Sequence, residues 1–124
     1  MTIGTGLKTS GARHVLAAAR YSMAGLRRLW HETAFRHEVL AASLLLGLLL
    51  LAGCGVAEVL LQAVLLMILF ACEALNTAVE VIVDRVSPEI STFAGQAKDL
   101  GSFAVFSLIV ANGLFAAASL IRLV

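Results

Sequence analysis

Charge is what this sequence has least of. Only 14% of its 124 residues are charged, against 60% that are hydrophobic, and the mean hydropathy is +0.97. Soluble domains carry about a quarter charged residues and are nearer half apolar. The scarcity excludes an ordinary soluble domain and points to one small integral membrane domain. A net charge of +1 gives no reason to expect a nucleic-acid partner. There are two cysteines, Cys54 and Cys72. They lack metal-site spacing and fall at different expected membrane depths, which excludes a disulfide framework and leaves them as small packing residues. The single proline, Pro88, ends a long helix, because the residue before a proline disfavours helix. The N-terminal segment has neither the compact apolar run nor the cleavage site of a signal peptide. Two motifs are incomplete. In "TGLKTSG", Leu7 separates Gly6 from Lys8 and no strand precedes, so it is not a phosphate loop; after His31-Glu32, Phe35 stands where a zinc-protease motif needs its second histidine. His37 and Glu38 then read as solvated or headgroup-facing residues.

What is present is apolar and segmented. Residues 39–57 carry no charge but Glu58 follows at once, 59–72 form a second run, and 101–121 are uncharged throughout. A span needs roughly 20 residues. The second run reaches that length only if its helix continues through Glu73, Asn76 and Glu80 towards Asp84. Gly53-Cys54-Gly55 marks the first turn. Ahead of the spans, Arg13, Arg20, Arg27 and Arg28 cluster near one helical face and Val15, Ala19, Leu26 and Leu29 on another, with Trp30 at the end. That pattern predicts a helix lying in the membrane surface. The expected fold is therefore an all-α membrane protein. It has an amphipathic surface helix at about 13–30 and spans at about 36–52, 58–84 and 98–121. Basic residues collect before the first span and, as Arg85 and Lys98, between the second and third. This predicts a cytoplasmic N-terminus and an outer C-terminus. The surface helix and an 84–98 loop would share the cytoplasmic side.

The second span carries the chemistry. Glu73, Asn76, Glu80 and Asp84 stand at i, i+3, i+7 and i+11, with Thr77 on the same stripe, so they share one helix face. A charge at the bilayer centre costs at least about 2.5 kcal/mol on insertion scales, so intramembrane carboxylates signal function. A magnesium ion takes one or two carboxylates together with substrate phosphates. Glu32, just before the first span, and Glu80 could share such an ion near the cytoplasm. Lys98 and Asp99 open the third span on that side, and Lys98 suits a phosphate. Glu73 lies about 10 Å deeper than Glu80 at 1.5 Å rise per residue, where it could accept a proton from a lipid hydroxyl. A different class, a channel or transport subunit with an acidic pore, is disfavoured because Asn112 is the only strongly polar residue near the middle of the third span.

"EALNTAVEVIVDR" followed by "AKDLGS" closely resembles the prokaryotic diacylglycerol kinase family, as does "YSMAGLRRLWHETAFRHE" upstream. The resemblance covers nearly the whole chain. It implies a homotrimeric enzyme of the bacterial inner membrane that transfers the γ-phosphate of Mg-ATP to a lipid alcohol, with active sites between subunits. Glu73 resembles the family's general base, and Glu32 and Glu80 its metal and nucleotide ligands. Tyr21, Glu89, Ile90, Ser91, Lys98 and Asp99 match nucleotide-contacting positions, Asn76 and Asp84 other polar active-site positions, and Ser102 a lipid-contacting one. The stretch between Tyr21 and Glu32 is one residue shorter than in the best-known members, so a family arginine falls at Arg13 or His14. "DRVSPE" and "AKDLGSFAV" resemble the diacylglycerol branch of the family more than its undecaprenol branch. Gly113 and Ala117 offer a close-packing face for helix association.

Overall fold

The computed structural model describes residues 11–122. The phosphate-loop-like stretch around Gly6 and Lys8 lies outside them. Four helices follow one another: α1 (Gly11–Trp30), α2 (Thr33–Leu51), α3 (Val56–Val86) and α4 (Thr92–Ile121). The last three are long and apolar enough to cross a membrane. Among the described residues there is no strand.

Helix lengths differ in a way that matters. At 1.5 Å per residue, the 19 residues of α2 span about 28 Å, close to the thickness of a bilayer's hydrocarbon core. The 31 residues of α3 and 30 of α4 span about 45 Å each. About 15 Å of each long helix therefore exceeds what the apolar core requires. If the excess lies at the end of α3, it carries Thr77, Glu80 and Asp84, while Glu73 and Asn76 fall just inside the apolar length.

The turns and caps are local. Gly53 has φ 86°, a left-handed conformation that glycine adopts without a side-chain clash, and it reverses the chain between α2 and α3. The Gly55 N–H donates to Glu58 Oε2 at 3.3 Å, satisfying an otherwise unpaired group at the start of α3. Ser91 Oγ accepts from the Ala94 N–H at 3.2 Å and caps α4. This cap corrects the expected 84–98 loop. Helix α3 continues to Val86 and α4 begins at Thr92, so the connection is only residues 87–91. Lys98 and Asp99 lie on the second turn of a helix. The segment is too polar to read as a span, but helix needs caps and backbone bonds rather than apolar side chains.

Helices α3 and α4 form the largest interface and run antiparallel. Lys98 Nζ meets Asp84 Oδ1 at 2.7 Å at one end, and Arg122 Nη1 meets Glu58 Oε1 at 3.2 Å at the other. Between them the contacting side chains recur at spacings of three and four. On α3 these are Gln62, Leu66, Leu69, Glu73 and Thr77, and on α4 Ala94, Val105, Asn112, Ala116 and Ser119 mark the buried side. Gln62 is fully buried (0% exposed), and its Nε2 donates to Asn112 Oδ1 at 2.8 Å. Asn112 Nδ2 in turn donates to the Leu108 and Leu65 carbonyls at 2.8 and 3.2 Å. Phe35 on α2 packs edge-to-face on Phe70 of α3, centroids 5.4 Å apart, and on Trp30 of α1 at 6.1 Å. These rings fix the bend between α1 and α2 against α3. Beyond that bend α1 buries only Leu29, and its apolar residues Val15, Leu16, Met23 and Leu26 remain uncovered by the chain. Cys54 and Cys72 are both free thiols.

Candidate active site

The site is built on about the last four turns of α3. The helix that begins in apolar sequence carries Glu73, Asn76, Thr77, Glu80 and Asp84 along one stripe, and α2 and α4 cover that stripe in part. Glu73 and Thr77 are buried, each 8% exposed; Asn76 and Glu80 are half-buried, and Asp84 is exposed. Burial thus falls from Glu73 towards the end of the helix. A carboxyl well inside the helix packing is followed by carboxyls that water can reach.

Helix α4 supplies the cation. Lys98 stands across from Asp84 and is bound to it, with the Glu80 carboxylate close enough to act on its charge. The expectation of Lys98 as a phosphate partner therefore needs one qualification from geometry: its ammonium is already held by Asp84. An ammonium has three donors, so one ion pair orients it and leaves donors for a phosphate oxygen. Asp99 and Ser102 follow on exposed faces of α4. Asn76 Nδ2 donates to Glu80 Oε1 at 3.4 Å, which ties the amide to the carboxylate one turn on.

The connection 87–91 is held by a buried serine. Ser87 Oγ donates to Glu89 Oε1 at 3.1 Å and lies 2.8 Å from Ser91 Oγ. Glu89 and Ile90 are exposed beside the Asp84–Lys98 pair's end of the bundle, and Ser91 is half-buried. On α1, Arg13, His14 and Tyr21 are exposed. Glu32, at the junction of α1 and α2, pairs with Arg28 at 2.8 Å. Within one chain, then, Asn76, Glu80, Asp84 and Lys98 come together. Tyr21 and Glu32 stay on the α1 side, where an apolar groove of about 1400 Å³ separates α1 from α3 and is lined by Leu26, Phe70, Ala74, Ala78 and Val81 among others.

One residue of the site departs from its sequence reading. Glu38 is not solvated. It is half-buried, its carboxyl is turned to that of Glu73 within hydrogen-bonding range, and its Oε2 is buried without a partner. Two carboxyls thus meet where α2 packs on α3. The signal was in the spacing: Phe35, Glu38, Ala42, Leu45 and Leu49 recur at three and four residues, and Phe35, Ala42 and Leu49 are buried. Glu38 occupies a core position of α2.

Among the described residues, no group of three or more His, Cys, Asp or Glu side chains is gathered to hold a metal. A magnesium ion does not need one. It binds through one or two carboxylates and completes its shell with phosphate oxygens and water. A water-accessible Glu80 beside a lysine fits that mode, and a caged three-carboxylate site would not.

Residues 20–120 match the sequence pattern of the prokaryotic diacylglycerol kinases. A Sinorhizobium protein named diacylglycerol kinase is 50% identical over 110 residues, covering 89% of this chain and 80% of the relative. The diacylglycerol kinase of Haemophilus influenzae is 38% identical, covering 86% of this chain and 92% of its own. That of Escherichia coli K12 is 36% identical, with 82% and 84% covered.

Proposed function

Because this chain belongs to the prokaryotic diacylglycerol kinase family, we propose that the α3–α4 polar face is where the γ-phosphate of Mg-ATP passes to the hydroxyl of diacylglycerol. The chain's activity is that of a membrane lipid kinase acting on diacylglycerol, forming phosphatidic acid. Undecaprenol is not favoured, since the similar relatives carry the diacylglycerol name. An acidic pore is not favoured either, since the carboxylates sit at one end of the bundle.

The observation that carries this reading is the gradient along α3. Glu73 is buried between helices while Glu80 and Asp84 open to water beside Lys98. A lipid hydroxyl approaches from the bilayer and a nucleotide from the cytoplasm, and this stripe spans both levels. Phosphoryl transfer asks little covalent chemistry of a protein, so positioning and charge carry the catalysis. Glu80, with Glu32, would hold a magnesium ion, which when bound draws negative charge off the phosphate oxygens. Lys98, oriented by Asp84, places its remaining donors on the transferring phosphoryl group. Tyr21, Glu89, Ile90, Ser91 and Asp99 surround the nucleotide, and Ser102 lies along the lipid's path. Glu73 takes the hydroxyl proton as the new O–P bond forms, and Glu38 beside it fixes where that carboxyl points.

Sites shared between three copies are part of the same proposal. Tyr21 lies on α1 and Glu32 at its junction with α2, paired with Arg28, and a second chain's α1 would bring such residues to the α3–α4 face. Gly113 and Ala117 are exposed on α4, leaving a surface for close helix packing between copies. The basic residues Arg13, Arg20, Arg27, Arg28 and Arg36, with Arg85 and Lys98, support a cytoplasmic N-terminus and site at the inner membrane and an outer C-terminus. The test is a mixed-micelle assay with labelled ATP, comparing diacylglycerol and undecaprenol. Label should enter diacylglycerol; transfer only to undecaprenol, or ATP hydrolysis without lipid phosphorylation, refutes the assignment.

A further inference from the structure

Helix α4 carries a glycine where a helix has no conformational use for one. Gly101 lies mid-helix and does not have a positive φ, and glycine in a helix interior is less stable than alanine. Its surroundings give a reason. Among the described glycines, it alone has a neighbour in the space a Cβ would fill. That neighbour is one side chain: Asn76 Oδ1 occupies the position, with Asn76 Cγ 3.2 Å and Cβ 3.9 Å away. Any larger residue at 101 would push the Asn76 amide out of the α3–α4 interface.

Chemistry sets how that amide sits. A carboxylate accepts hydrogen bonds and has none to give, so the Asn76 NH₂ must face Glu80. It does, with Nδ2 donating to Glu80 Oε1 at 3.4 Å. The oxygen is thereby turned towards α4, where it is buried with no hydrogen-bond partner. It lies in the space that a side chain at Gly101 would fill. Lys98, one turn before Gly101 on the same face, reaches Asp84, one turn beyond Glu80. The glycine notch therefore sits beside the cluster that the phosphates meet.

We propose that Gly101 is a positioning residue for nucleotide binding: its missing side chain seats the Asn76 amide, and the seated amide sets the Glu80 carboxylate. The inference rests on the reading of Glu80 as a ligand of the magnesium–nucleotide complex. Gly101 touches neither substrate; it acts through Asn76. A packing role alone predicts a loss of stability, whereas this role predicts a loss of magnesium-dependent nucleotide affinity that vanishes once Asn76 is gone.

The experiment is a double-mutant cycle of Gly101→Ala and Asn76→Ala in the full chain in micelles. It is read by equilibrium binding of a non-hydrolysable ATP analogue with and without Mg²⁺. Gly101→Ala should weaken Mg²⁺-dependent binding about tenfold, the order expected for losing one hydrogen bond to a charged acceptor. Asn76→Ala should do the same, and the double variant should match Asn76→Ala within about twofold, because contacting residues that act as a unit are not additive. Wild-type affinity in Gly101→Ala, or a double variant weakened by the product of the two single effects, overturns the proposal. If Gly101→Ala fails to fold, the double variant, which has room for the methyl group, is compared with Asn76→Ala alone: equal affinity supports the proposal and a further loss overturns it. Glu80→Gln separates the two levels. Unchanged Mg²⁺-dependent binding there overturns the metal reading of Glu80 and this inference with it. Weakened binding there, with Gly101→Ala unchanged, overturns the inference alone.

Discussion

Replacing Glu73 by glutamine is the most discriminating perturbation of the proposed chemistry. The two side chains have nearly the same shape, and Glu73 is 8% exposed, so the substitution preserves packing against α2 and removes the carboxylate's ability to take a proton. Glu80 lies seven residues on, about 10 Å along the helix axis, too far for the change to reach the nucleotide's ligands directly. Loss of a general base costs about 10²–10⁴-fold in turnover. At about 1.4 kcal/mol per tenfold, that is about 3–5 kcal/mol of transition-state stabilisation. The assay is labelled-phosphate transfer to diacylglycerol in mixed micelles at saturating lipid. The expected result is a fall in kcat within that range while the KM for Mg-ATP stays within about twofold of wild type. A kcat near wild type would refute the proton-acceptor role. A KM for Mg-ATP that rises as far as kcat falls would instead make Glu73 a nucleotide-site residue and refute the division of the stripe into a deep lipid end and a shallow nucleotide end.

Three further outcomes are expected. Glu80→Gln and Glu32→Gln should each raise the Mg²⁺ concentration needed for half-maximal activity; a fall in kcat with an unmoved Mg²⁺ titration would remove them from the metal site. A chain lacking Glu73 mixed with one lacking Glu32 should regain activity on co-reconstitution, because hybrid assemblies contain some intact shared sites; no recovery in a mixture proven by crosslinking to contain hybrids would defeat sharing while leaving the kinase activity in place. Asn112→Leu should destabilise the α3–α4 pair by about 1 kcal/mol, since it removes the shorter hydrogen bond of the fully buried Gln62 amide and leaves it only the residue-112 carbonyl at 3.4 Å. Detergent-titrated unfolding reads this, and a loss under a few tenths of a kcal/mol would show that the bridge adds nothing.

The sequence states some of this site openly. Spacing alone puts Glu73, Asn76, Glu80 and Asp84 on one face, because a helix repeats every 3.6 residues wherever it lies. The Asp84–Lys98 pair is less legible. It depends on α4 starting at Thr92, and that start depends on Ser91 as a cap in a segment too polar to look like a span. Glu38 was hidden by its chemistry: its position continues the apolar stripe of α2, but a carboxylate there reads as solvated until Glu73 is found opposite. The Arg28–Glu32 pair follows from i, i+4 spacing. Gly101 could not be read at all. Its importance lies in what stands across from it, and the facing register of two helices is set by their packing, not by either sequence alone.

The Gln62–Asn112 bridge bears on how the chain enters its membrane. It lies six residues into α3, about 9 Å from that helix's apolar end. An amide inserted there by itself would face hydrocarbon with no water to satisfy it. Residues 87–91 are the whole connection between the two helices, so α4 can follow α3 directly. Insertion is then best satisfied by the hairpin, with each amide meeting its partner during entry into the lipid. A chain truncated after α3 would leave the Gln62 amide in the lipid without its Asn112 partner, and the second span would lose what fixes its register.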